Sequence, residues 1–146
     1  MALDPKRIEF EITEHSLIEN FDESLSVIEA LKVLGFRISL DDFGTRFSSL
    51  NYLSKIPFDT LKIDKTYIDH VTEEGNNQII VEQIIQLATR LGLKIVAEGI
   101  EMQDQKEVLS NLGCLYGQGY LMSKPLSSEN LLELLKIECE RSGGAT

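Results

Sequence analysis

The chain has 146 residues and a formal net charge of −10, from 24 acidic against 14 basic residues. That length builds one domain with a real core. The acidic excess excludes nonspecific binding to DNA or RNA, which needs a basic surface, but leaves open a small anionic ligand held through metal ions. The two cysteines, Cys114 and Cys139, have neither metal-ligand spacing nor a disulfide pattern, so a reduced, cytoplasmic setting is expected. No apolar run is long enough to cross a bilayer, and no signal peptide is expected before the first strand.

In chain order, RIEFEIT predicts a strand over Arg7–Thr13. Asp22–Leu34 follows as a helix with Leu25, Val27, Ile28 and Leu31 on one side. FRISLDD (Phe36–Asp42) and TLKID (Thr60–Asp64) are the next strands. Asn76–Leu91 is a second helix, with Ile80, Ile84, Leu87 and Leu91 on its apolar side. LKIVAEG (Leu93–Gly99) and CLYGQGYLM (Cys114–Met122) complete the strands. The joints VLGFRI, RLGLKI and NLGCLY each read as a helix end, a glycine suited to a left-handed cap, and a strand. The domain is expected to span residues 1–137, with residues 138–146 as a tail ending in a frayed SGGAT.

Helix-linked strands in steady alternation imply a parallel sheet. Strand parity narrows the type. Ile8, Phe10 and Ile12 share one face, as do Ile38 and Leu40, Leu61 and Ile63, and Leu93, Ile95 and Ala97. The opposite parity carries Glu9, Glu11 and Thr13, then Arg37, Ser39 and Asp41, then Lys62 and Asp64, then Lys94, Val96 and Glu98. A sheet covered by helices on both faces should be apolar on both. One apolar and one charged face suits a barrel with helices outside and polar side chains at its mouth.

Glu11, Asp41, Asp42, Lys62 and Glu98 therefore gather at the strands' C-terminal rim, where such barrels place active sites. So many carboxylates repel unless divalent cations separate them. Oxygen ligands favour hard ions such as Mg²⁺ or Mn²⁺, and such ions beside a lysine suit phosphodiester hydrolysis. A single acid after a strand is often only a cap or turn residue. Four strands ending alike on one parity are harder to explain in that way.

The motifs FEITE (Phe10–Glu14), SLDDFGTRFSSL (Ser39–Leu50), LKIDKTYI (Leu61–Ile68), VAEGIE (Val96–Glu101) and YGQGYLMSKPL (Tyr116–Leu126) together resemble the EAL-type cyclic-di-GMP phosphodiesterase domain. The resemblance covers nearly the whole chain. It implies an α/β fold of the (β/α)8 TIM-type barrel class, here incomplete, with about five βα units of its C-terminal part. It implies hydrolysis of cyclic-di-GMP to the linear dinucleotide with two Mg²⁺ or Mn²⁺ ions. By motif, Glu11, Asp41, Asp42 and Glu98 are the implied metal ligands. Lys62 is implied to position or help activate the attacking water, so that Lys62, Glu98 and Asp41 form the catalytic set. Glu14 is implied to anchor the loop Phe43–Leu50, and Glu101 and Gln118 to support the substrate end of the pocket.

Two departures from the family pattern stand out. The Glu-Ala-Leu signature belongs well upstream of FEITE; the literal Glu29-Ala30-Leu31 lies inside an amphipathic helix, where Glu29 reads as a solvated residue. Arg46 stands where the family's loop usually has glycine, and arginine disfavours any positive φ there. Five strands where eight are needed imply a piece of a larger protein, in preference to a shortened gene. The exposed edges would be met by the missing N-terminal half of the barrel, by a homodimer or by a rearranged sheet. The competing functions are a non-catalytic cyclic-di-GMP-binding module and a dimerisation module. Weak or no activity is expected of the chain alone.

Other residues have plainer expectations. Asp64 either orients Lys62 or serves as a rim turn residue, and Asp59 reads as a turn. His15 and His70 read as solvated loop positions. Phe47, Tyr67 and Tyr120 favour apolar packing over stacking on a guanine.

Overall fold

The computed structural model describes residues 3–44, 53–73 and 75–143. Arg46 and Phe47, and most of the Phe43–Leu50 loop, lie outside the described residues. Five strands form one parallel sheet: β1 (Glu9–Thr13), β2 (Arg37–Phe43), β3 (Thr60–Ile63), β4 (Lys94–Ala97) and β5 (Tyr116–Gly117). Their spatial order follows the chain, β1-β2-β3-β4-β5, as each crossover adds the next strand beside the last. Among the described residues the α-helices are α1 (Glu14–Glu19), α2 (Phe21–Val33), α3 (Lys65–Ile68), α4 (Asn76–Arg90), α5 (Gln103–Asn111) and α6 (Ser128–Gly143).

Three helices end as the repeated joints predict. Phe36, Leu93 and Cys114 donate their amides to the carbonyls of Leu31, Ala88 and Leu109, five residues back, around Gly35, Gly92 and Gly113 at positive φ. This bond satisfies a carbonyl that the helix end would leave orphaned and turns the chain back toward the sheet.

The parity reading holds through β4. Ile38, Leu40, Leu61, Ile63, Ile95 and Ala97 are buried with Leu17 of α1, Ile28 of α2 and Val81, Ile84, Ile85 and Ala88 of α4. Leu25, Leu31 and Leu87 pack against this core, whereas Val27, Ile80 and Leu91, predicted on the apolar side, are exposed. The true inner stripe of α4 runs through Val81 and Ile85, one residue on from Ile80. β1 is an edge strand, so Phe10 remains 41% exposed and meets Phe36 edge-on at 5.2 Å.

One predicted element differs. The strand expected over Cys114–Met122 shrinks to Tyr116–Gly117, because the chain turns at Gly119, whose carbonyl accepts from Met122 and Ser123.

Asp59 is more than a turn. Its carboxylate takes Lys32 of α2 at 2.6 Å and the Ile38 amide of β2 at 2.8 Å. One side chain thus joins α2, β2 and the start of β3 at the sheet's N-terminal end. Charge-assisted bonds of this kind are worth about 1.5–3 kcal/mol each when a partner is left behind. Asp59→Ala should cost about 2 kcal/mol by urea unfolding. A change below about 0.5 kcal/mol would remove Asp59 from the fold's supports.

Candidate functional site

The site begins with an irregularity in β2. Leu40 pairs with Leu61, but Phe43, not Asp42, pairs with Ile63. Strict alternation would turn Asp42 toward the apolar face. One extra residue, with Asp42 at φ 57°, puts Phe43 into the core instead, where it is 3% exposed. Aspartate tolerates this left-handed conformation better than most residues. The bulge is why a buried strand can end on two like charges. The Asp42 amide donates to Asp41 Oδ1 at 2.9 Å, fixing that carboxylate over the turn.

Lys62 is the centre of the site. It rises from β3 with its side chain 7% exposed. Its Nζ lies 2.7 Å from Glu11 Oε1, 2.6 Å from Glu98 Oε1 and 3.9 Å from Asp41 Oδ1. These acids come from β1, β2 and the residue after β4, so the parallel register places four consecutive strands around one ammonium. Burial opposes the charge on Lys62, but the hydrogen bonds to Glu11 and Glu98, with the charges of Glu98 and Asp41, push its pKa up to about 12. Burial raises the Glu98 pKa, and Lys62 works against that rise. Burial also raises Asp42, with Asp41 and Asp64 adding to the effect.

Beyond Glu98, Gln118 donates from Nε2 to Glu98 Oε1 at 2.7 Å. Its own backbone is tied to Ala97 and Ile100. Next to it lies a groove of about 460 Å³ lined by Lys65, Gly99, Glu101, Gln118, Tyr120 and Lys124. Glu101 pairs with Lys65 at 3.1 Å, and its amide donates to the buried Gln105 side chain. Gly119 is required here: a Cβ would stand 2.1 Å from the Ile100 carbonyl oxygen.

Glu11, Asp41, Lys62 and Glu98 are thus brought together as the sequence predicts. Asp42 flanks them, and Gln118 and Glu101 lie toward the groove. Glu14 is buried at the start of α1, 2% exposed. Asp64 settles as a cap: it accepts from the amide and hydroxyl of Thr66 at 2.9 Å and 2.5 Å. His15 lies on α1 rather than in a loop and is exposed beside Glu19; His70 is exposed beside Glu73. Glu29 is an exposed residue of α2. Tyr120 is 59% exposed under Lys124, so its expected apolar packing is not seen. Sequence reasoning missed the Tyr67 hydroxyl, which donates to the Gly44 carbonyl, and the bond from Thr60 to Glu9 at 2.9 Å.

The donor set suits a hard divalent cation in chemistry: all oxygen, all acidic and converging on one side of the sheet. Among the described residues, however, no three acids stand at a spacing that would hold an ion by themselves. Lys62 gathers them instead.

A parallel α/β sheet of barrel type, with acids and a lysine converging at its strand ends, is the class defined by fold and site. The family model described as "EAL domain" matches residues 2–125, and the chain belongs to that family. It is 42% identical over 131 residues to the bifunctional diguanylate cyclase/cyclic di-GMP phosphodiesterase MucR of Pseudomonas aeruginosa, covering 90% of this chain and 19% of that protein. The solved MucR phosphodiesterase in complex with c-di-GMP superposes with a TM-score of 0.84 at 42% identity, over 88% of this chain and 52% of that one. The Klebsiella pneumoniae BlrP1 manganese/cy-diGMP complex gives 0.80 at 33% identity, over 84% and 31%. The chain therefore spans about half of the solved MucR chain and about a fifth of the curated protein. The sheet is part of a TIM-like barrel. Among the described residues, no helix is long and apolar enough to cross a membrane.

Proposed function

We propose that the domain to which this chain contributes hydrolyses cyclic-di-GMP to the linear dinucleotide, using divalent cations. The observation that carries this reading is the convergence of Glu11, Glu98 and Asp41 on Lys62 in an EAL-family sheet. Relatives titled as cyclic di-GMP phosphodiesterases, and a relative crystallised with manganese and c-di-GMP, support it.

In the complete domain, Glu11, Asp41, Asp42 and Glu98 would contribute ligands to Mg²⁺ or Mn²⁺, two ions in all, together with ligands from the remaining strands of the barrel. Bound there, the ions would supply an activated water and neutralise phosphate charge. With a pKa near 12, Lys62 is an ammonium at neutral pH. It serves to position or help activate the attacking water and to offset phosphate charge. Gln118 orients Glu98, and Glu101 with Lys65 shapes the substrate end of the groove. Glu14 supports the turn after β2.

The sheet is open at β1 and β5. The remaining strands of a barrel, or a second copy, would close those edges in a cytoplasmic regulator. The test is linear dinucleotide production from cyclic-di-GMP with Mn²⁺, on this chain and on a domain with a complete barrel. Product is expected from the complete domain and little or none from the chain alone. A complete domain that binds cyclic-di-GMP without metal and yields no product would establish a binding module instead.

A further inference from the structure

The turn after β2 is held by a residue that the catalytic reading does not use. Asp42 is in the left-handed region at φ 57°, and Gly44 follows at φ 91°. Such a turn persists only when its surroundings hold it. The Tyr67 hydroxyl, half-buried on α3, donates to the Gly44 carbonyl. The ring lies against Gly44 so closely that a Cβ there would stand 3.1 Å from it. Helix α3 is itself set by its Asp64 cap, so Asp64, α3, Tyr67 and Gly44 form one line of support.

We propose that Tyr67 is a positioning residue whose hydroxyl pins the Asp42–Gly44 turn and so fixes how Asp41 and Asp42 are presented to a divalent cation. The part concerning the cation rests on the function proposed above; the pin itself does not. Burial, with Glu14 and Asp64 nearby, raises the Tyr67 pKa above its ordinary value, so the hydroxyl remains a donor throughout the working range of pH. Phenylalanine would keep the ring's packing against Gly44 and remove only the donor. The Gly44 carbonyl would then be left to water or to nothing, and the turn would be free to sample other φ values at Asp42.

The experiment is Tyr67→Phe read in two ways, by exchange in the 146-residue chain and by Mn²⁺ binding in a domain with a complete barrel. Amide hydrogen exchange at Asp42, Phe43 and Gly44 should quicken about tenfold, the loss of one modest hydrogen bond, while β3 and β4 exchange as before. Mn²⁺ affinity, read from free-ion electron paramagnetic resonance, should fall several-fold. Asp41→Asn serves as the reference for the metal reading. If Tyr67→Phe leaves exchange at the turn unchanged, the pin is wrong whatever Mn²⁺ does. If the turn loosens and Asp41→Asn weakens Mn²⁺ but Tyr67→Phe does not, the positioning role is wrong. If Asp41→Asn has no effect on Mn²⁺, the metal reading and the presentation role fail together, and exchange still decides the pin.

Discussion

Asp41→Asn, placed in a domain with a complete barrel, should lower turnover of cyclic-di-GMP by about 10²–10⁴-fold, the range expected for loss of a group acting on the reacting centre. Asparagine preserves shape and can still accept the Asp42 amide through its carbonyl oxygen, as Asp41 Oδ1 does at 2.9 Å. What it removes is a negative charge 3.9 Å from Lys62 and beside Asp42. The fold should not suffer. Asp41 raises the pKa values of both Asp42 and Glu98, so its neutralisation relieves repulsion. The expected result is a collapse in kcat with Tm unchanged or slightly higher. Retained turnover would take Asp41 out of the catalytic set. A large drop in Tm would instead make it a structural residue.

The second large effect concerns stability. Lys62→Met removes the one cation that, among the described residues, Glu11, Asp41 and Glu98 share. Breaking a buried pair by deleting one partner typically costs 3–5 kcal/mol. Glu11 is half exposed and keeps much of its hydration, so about 3 kcal/mol is expected at pH 7. The pH dependence has a definite sign. In the parent, the raised Lys62 pKa means that its stabilising contribution is fully present below the ordinary value of 10.5 and is lost as pH rises through about 12. In the variant, the burial that raises Glu98 would act without the opposing ammonium. The folded state would then bind protons more tightly than the unfolded one, and the deficit should shrink as pH falls toward the ordinary carboxylate range. Urea unfolding from pH 4.5 to 8 checks this. A deficit independent of pH would mean lost packing of the lysine stem, not uncompensated charge. Under the proposed metal reading, Mn²⁺ should also raise the Tm of the variant more than that of the parent, because the acids then have no internal cation.

The sequence by itself determined the parallel βα alternation, the helix-ending glycines and the placement of Glu11, Asp41, Lys62 and Glu98 on one strand parity. These follow from local chemistry. A strand's two-residue period assigns faces without reference to other strands, and a glycine after a helix marks its end wherever the helix packs. Tertiary structure decided the rest. Parity alone would bury Asp42 beside Leu40; a bulge across the β2–β3 pairing exchanges it for Phe43, and pairing register is not a property of one segment. Asp59 reads as a turn until α2 brings Lys32 to it from 27 residues away. Tyr67 reads as packing until its hydroxyl finds the Gly44 carbonyl across 23 residues. The strand after Cys114 stops early because the Gly119 turn packs against the backbone of Ile100. In each case the deciding partner lies far along the chain. A hydrogen bond depends on where its acceptor is held, and only the folded backbone sets that position.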